Sequence, residues 1–282
     1  MVESVFDDRV CALGEGPLWH PLRKQFFWFD ILGKRLLSRI GRETFEWGFD
    51  EYVSAAGWVD HDRLMIASET ALFLFDLASG EREGVLPLEA DNPVTRSNDG
   101  RADPQGGLWI GTMGKAAEPK AGAIYRYFRG ELRMLYPEIT ISNSICFSPE
   151  GDLAYFTDTL TQQIMRQRLD AKGWPVGEAE VHIDLRGDNR NPDGSVVDAQ
   201  GRLWNAQWGS SRVACYDKDG AFLHAEVFEA GQTSCPAFGG ENLSTLYVTS
   251  ATQGMGTPGP ADGLTFARTT EFAGQAEHQV IL

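Results

Sequence analysis

The stretch GEGPLWHP, residues 14–21, sets an acid at Glu15 five residues ahead of a turn pair, His20-Pro21. The same phrase recurs with other letters. NDGRADP sets Asn98 ahead of Asp103-Pro104, and NSICFSP sets Asn143 ahead of Ser148-Pro149. DGSVVDA sets Asp193 ahead of Asp198-Ala199. Two more copies place Ala55 before Asp60-His61 and Ser234 before Gly239-Gly240. After every turn comes an apolar run: FFWFD from Phe26, LMIA from Leu64, LWIGT from Leu108, AYFTD from Ala154, LWNA from Leu203 and LYVTS from Leu246. The starts at 15, 55, 98, 143, 193 and 234 lie 40, 43, 45, 50 and 41 residues apart. A period of roughly 40–50 residues with several short strands per unit is the signature of a β-propeller. The chain is therefore predicted to be an all-β, six-bladed β-propeller. Equivalent positions of a propeller converge on its axis, so Glu15, Asn98, Asn143 and Asp193 are expected around one pocket.

Six units of about 47 residues consume the whole chain, which predicts one domain over residues 1–282. The 31 glycines and 13 prolines are spread along the chain, as frequent tight turns require. Eight tryptophans and sixteen phenylalanines supply bulk to fill the space between blades. Forty acidic against 25 basic residues give a net charge of −15. Such a surface repels phosphate backbones and anionic lipid, so neither nucleic acid nor a membrane is expected as a partner. The opening MVESVFDDRV has no basic n-region and no apolar h-region, and no run is apolar enough to span a bilayer. Cys11, Cys146, Cys215 and Cys235 lie far apart with no CxxC pair, which predicts free thiols in a reducing compartment. A cytoplasmic location is expected. The sequence leaves the oligomeric state open.

Each repeat reads as four short antiparallel strands, as in LWIGT, AIYRYF from Ala123 and LRMLY from Leu132 in the third. No segment reads as a helix. The leading strand, Val2 to Val10, is expected to complete the last blade and close the ring. Three stretches exceed what the repeat demands: GKAAEPKAG from Gly114, DLRGDNRNPDG from Asp184 and QGMGTPGPADG from Gln253. Insertions in repeat proteins map to loops, often on the binding face.

Glu15, Asn143 and Asp193 offer two carboxylates and an amide carbonyl, hard oxygen ligands that suit Ca²⁺, Mg²⁺ or Mn²⁺. The same residues could instead cap turns or line a wet channel, and residue chemistry alone leaves both readings open.

LGEGPLW (residues 13–19), RSNDG (96–100), ISNSICFSP (141–149) and PDGSVVDAQGRLW (192–204) resemble the senescence-marker/gluconolactonase family, which includes regucalcin. GTMG at Gly111 and CPAFGG at Cys235 extend the resemblance through most of the chain. It implies a six-bladed propeller that hydrolyses sugar lactones with a metal. It implies that Glu15, Asn143 and Asp193 hold one divalent cation, Ca²⁺, Mn²⁺, Mg²⁺, Zn²⁺ or Fe²⁺. Arg96 and Asn98 would contact the sugar hydroxyls, and Glu118 would be a further substrate contact. Within that chemistry Asp193 can orient the attacking water and act as general base. Two departures stand out: Ser144, where the family commonly has glycine, and Ser97, where it has a bulkier residue or proline. Both are expected to border the pocket and bear on which sugar fits.

Among the remaining candidates, Asp99 reads as a turn residue and His20 as a turn or surface histidine. Trp208 reads as core or pocket wall. No GxSxG elbow and no phosphate-cradling GxxxxGK[ST] loop occurs. Three functions remain in contention: an aldonolactonase, an organophosphate or aryl esterase on the same metal site, and a non-enzymatic Ca²⁺-binding propeller. A mouth rich in hydrogen-bonding groups favours the first.

Overall fold

The computed structural model describes residues 4–282. The apolar runs become strands buried on both faces, grouped as six four-stranded antiparallel sheets. After β1 (Ser4–Asp7), blade I is β2 (Gly14–His20), β3 (Gln25–Asp30), β4 (Arg35–Ile40) and β5 (Glu43–Gly48). Blade II is β6 (Val53–Trp58), β7 (Arg63–Ser68), β8 (Ala71–Asp76) and β9 (Arg82–Pro87). Blade III is β10 (Thr95–Ala102), β11 (Leu108–Gly114), β12 (Gly122–Phe128) and β13 (Glu131–Ile139). Blade IV is β14 (Ser142–Phe147), β15 (Leu153–Asp158), β16 (Gln163–Arg168) and β17 (Glu180–Asp184). Blade V is β18 (Asn191–Val197), β19 (Leu203–Trp208), β20 (Arg212–Tyr216) and β21 (Phe222–Val227). Blade VI is β22 (Thr233–Gly239), β23 (Thr245–Ser250) and β24 (Thr265–Thr269), completed by β1. The ring closure expected from the leading strand is thus observed at Ser4–Asp7, while Val2 and Glu3 lie outside the described residues. Two single 3-10 turns, Thr159–Thr161 and Arg186–Asp188, are helical where no helix was expected.

Period-two alternation explains the packing. In β7, Leu64 and Ile66 face blade I while Met65 and Ala67 face blade III. In β3, Phe27 and Phe29 fill the seam with blade II, and Phe26 and Trp28 fill the seam with blade VI. Six buried apolar clusters result, one for each seam between neighbouring blades. That is why these runs read as continuously hydrophobic and not alternating.

The six innermost strands surround the axis in the order β2, β6, β10, β14, β18, β22. Each carries a register break at the same level: after Glu15, Val53, Ser97, Asn143, Pro192 and Thr233. A bulge breaks the in-out alternation and re-aims side chains, so two successive residues can face the axis. At the blade I bulge the chain passes so close to blade II that a Cβ on Gly16 would lie 2.2 Å from the Ser54 carbonyl.

Beyond β24 the C-terminal segment crosses the far ends of the inner strands. The Gln275 amide donates to the Phe147 and Val197 carbonyls, and Glu277 pairs with Arg101 inside the channel. Val280 and Ile281 then bond to Trp58 and Gly106. The channel is therefore covered at this end. Among the described residues no helix is long and apolar enough to cross a membrane. All four cysteines are buried and free.

Candidate active site

At the near ends of the inner strands lies a cavity of about 460 Å³, lined by Glu15, Arg96, Asn98, Asn143 and Asp193. Five expected residues from four blades thus share one chamber. Glu15 and Asn143 are the last paired residues before their bulges, whereas Asn98 and Asp193 lie inside theirs. The sequence phase is off by one residue between these pairs, and the bulge is what lets both positions reach the axis.

A directed hydrogen-bond chain orders the polar side. Arg96 Nη1 donates to Asn98 Oδ1 at 2.7 Å, and Asn98 Nδ2 donates to Asn143 Oδ1 at 3.2 Å and to the Ser142 carbonyl at 2.8 Å. Asn143 Nδ2 in turn donates to Thr159 Oγ1, which donates to the Pro192 carbonyl. The Asn143 amide is therefore oriented with its oxygen toward Asn98.

The electrostatics are those of crowded anions. Glu15 and Asp193 stand within hydrogen-bonding reach of each other. Burial, with the charge of Asp99 next in weight, pushes Glu15 up to about 8, against the Gly16 N–H and Arg96. Burial and then Glu15 push Asp193 well above the usual carboxylate range. Burial lowers Arg96 to about 10, so its guanidinium stays charged at neutral pH.

Asp99 is not a turn residue. It lies in the β10 bulge, buried, with Oδ2 accepting the Ile145 N–H at 2.7 Å, and burial raises it to about 6. Its place directly after Asn98, facing the other way along a strand, suggested a turn, but the bulge turns Asp99 into the wall between blades III and IV. His20 is not on the surface. It ends β2 fully buried, its ring 5.7 Å from Trp58 and 6.2 Å from Phe27. Ser97 and Ser144 do not line the chamber. Their hydroxyls turn to main-chain carbonyls, Ser97 to Ala67 and Ser144 to Asp193. Glu118 is not among the lining residues either. Its Oε2 accepts the Ala116 N–H within its own loop, while Lys115, Ala116 and Ala117 of that loop form the rim.

Trp208 proves to be wall, beside Leu13, Met113 and Ile141. Gln232, Gln253 and Gly254 join the rim without having been singled out, though the long stretch beginning at Gln253 was the signal for two of them.

The profile of the SMP-30/gluconolactonase/LRE-like region matches residues 13–252. The chain belongs to this family. The L-arabinolactonase of Azospirillum brasilense is 36% identical over 286 residues, covering 97% of this chain and 93% of that protein. The pentonolactonase of Haloferax volcanii is 31% identical over 259 residues, covering 90% and 87%. A solved structure described as a calcium-binding protein, regucalcin, from Agrobacterium tumefaciens strain C58 is 41% identical with a TM-score of 0.97. That match covers 100% of this chain and 98% of the other.

Against this family background the donor set bears directly on metal binding. Among the described residues no three His, Cys, Asp or Glu side chains form a ligand cluster. The chamber offers two carboxylates and an amide oxygen, all hard donors. Two carboxylates held above the ordinary range by burial, Asp193 also by the charge of Glu15, are what a divalent cation would relieve. The residues fit such a group.

Proposed function

We propose that this protein is a lactonase, a carboxylic ester hydrolase that opens a sugar-acid lactone to the aldonic acid. The observation that carries the reading is one chamber in which Glu15, Asp193 and Asn143 Oδ1 converge beside the Arg96–Asn98 donor chain. Relatives named L-arabinolactonase and pentonolactonase support it. Among the described residues no serine, cysteine or histidine lines the chamber, and the Thr159 hydroxyl is committed to Asn143 and the Pro192 carbonyl, so water is the attacking group.

Glu15, Asn143 and Asp193 would hold one divalent cation, which supplies Lewis-acid polarisation of the ester carbonyl. Arg96 and Asn98 bind the hydroxyls of the ring. Arg96 presents a planar donor fork and Asn98 both donates and accepts. Asp193 takes a proton from the attacking water as its oxygen bonds to the carbonyl carbon. The bond to the ring oxygen breaks, and the proton passes to that oxygen to give the free hydroxyl and acid. Trp208 and Met113 supply the apolar wall against the C–H faces of the sugar.

The test is a panel of five- and six-carbon aldonolactones, unsubstituted lactones and paraoxon-like phosphotriesters. Each is assayed after chelator stripping and again with each divalent metal, with spontaneous opening subtracted. Aldonolactones should be opened fastest and only with metal restored. Phosphotriesters hydrolysed at higher kcat/KM would sink the lactonase reading, and full activity in the stripped protein would remove the metal from it.

A further inference from the structure

Ser144 follows Asn143 at the β14 bulge and adopts a left-handed backbone, φ 61°. An L side chain there crowds the following carbonyl, which is why glycine is preferred in this region. The corresponding position of the blade I bulge is Gly16, with φ 53°. Serine thus occupies a conformation that glycine adopts freely, and a strained residue at a bulge beside a site points to a role for its side chain.

That side chain is fully committed. Ser144 Oγ donates to the Asp193 carbonyl at 2.6 Å and accepts from Ser195 Oγ at 3.0 Å and Asn205 Nδ2 at 3.3 Å. Asn205 Nδ2 also approaches the Asp193 carbonyl at 3.1 Å and Ser195 Oγ at 3.0 Å. The four groups make a closed, buried set with one direction, Ser195 hydroxyl to Ser144 hydroxyl to Asp193 carbonyl. It ties the bulge bearing Asn143 in blade IV to the bulge bearing Asp193 in blade V.

We infer that Ser144 is a positioning residue that fixes the spacing of Asn143 and Asp193 through its bond to the Asp193 carbonyl. The inference rests on the proposed metal-dependent lactonase reading for its consequence, though the tie itself does not. Partners that orient ligands from behind a metal site commonly govern affinity or activity by 10–100-fold.

The test compares wild type with Ser144→Gly and Ser144→Ala. Ser144→Gly relieves the backbone and removes the hydroxyl, so it should melt no lower than wild type. Its Ca²⁺ and Mn²⁺ affinities by calorimetry should nevertheless fall about 10-fold or more. Hydrogen exchange over residues 191–197 in the chelator-treated protein should quicken. Ser144→Ala keeps the strain and loses the hydroxyl, so it should show the same affinity loss with a lower melting temperature. Unchanged affinity in Ser144→Gly, with or without faster exchange, reduces the contact to a structural tie and overturns the positioning role. Should wild type take up no divalent cation, the metal-dependent part of the reading falls, and exchange alone judges the tie: unchanged protection in Ser144→Gly overturns it.

Discussion

A carboxylate can hold a cation or take a proton, and of the two carboxylates lining the chamber, each accepting the N–H of the residue that follows it, Asp193 is assigned both tasks in the proposed mechanism. Glu15 accepts the Gly16 N–H, and Asp99 is committed to the Ile145 N–H. Asp193→Asn keeps an oxygen and loses the base, so kcat should fall about 10²–10⁴-fold while cation affinity by calorimetry falls far less. Equal turnover in the variant would place the base elsewhere. Arg96→Ala removes a charged donor from the substrate side and should raise KM about 10–100-fold, with a smaller change in kcat. A pure kcat loss would show that Arg96 acts only in the transition state. His20 gives the acid limit. The Arg23 N–H donates to Nδ1, so the neutral ring carries its proton on Nε2, which donates to the Asp60 carbonyl at 2.9 Å. Burial lowers its pKa from 6.5 to about 4. The unfolded chain therefore binds a proton that the folded chain refuses, and stability should fall as pH drops from about 6.5 through about 4. His20→Gln should flatten that fall in urea midpoints, leaving a residual slope from His182, which burial shifts the same way. An identical slope would remove His20 from the account. The four axial residues were legible because a repeat repeats its chemistry. Asp99 and His20 were not, because their burial comes from neighbouring blades and no local pattern encodes it.

Blades were legible as elements because each turn pair and each apolar run is local. The bulges were not, since a register break exists only between two paired strands. They decide which residues see the axis, and this accounts for the one-residue phase error between Glu15 or Asn143 and Asn98 or Asp193. Ring closure was legible for a general reason, since an unpaired edge on β24 would be a template for aggregation. Its strength comes from Phe6. The ring lies 4.9 Å from Tyr247 and 5.5 Å from Phe26, both edge-on, and Arg39 stands over it at 5.1 Å. Phe6→Ala should cost about 2–4 kcal/mol, toward the low end for an aromatic truncation because Phe6 is only partly buried. Phe6→Leu should recover part of that. A denaturation midpoint unmoved by Phe6→Ala would show that the four-residue strand closes the ring by its backbone alone.

At the scale of the molecule, the six seams make a rigid ring, and the C-terminal segment turns a channel into a cup. Below the chamber Arg101 faces Asp99 and pairs with Glu277, so the lower channel carries its own counter-charge. The upper chamber does not. Glu15 and Asp193 share it with Arg96 and, at the rim, Lys115; Lys115 pairs with Glu69, and Arg96 is also committed to Asn98 and to the Ser97 carbonyl. A cation there would relieve repulsion that the folded state alone suffers, because the unfolded chain separates the two carboxylates. Binding to the folded state adds about 2.7 kcal/mol of stability at a free concentration 100 times Kd. For a chain of this size that corresponds to roughly 4–5 °C in melting temperature. We expect the chelator-treated protein to remain folded, since the apolar seams and the ring closure are built from residues other than Glu15, Asn143 and Asp193. Its melting temperature should rise by that amount when Ca²⁺ or Mn²⁺ is restored in excess. Glu15→Gln removes one of the two charges. It should melt higher than wild type in chelator and gain little from added cation. A shift of equal size in Glu15→Gln would place cation binding outside the chamber, and none in wild type would mean that the folded protein binds no cation; either result separates the metal from the chemistry proposed for Asp193.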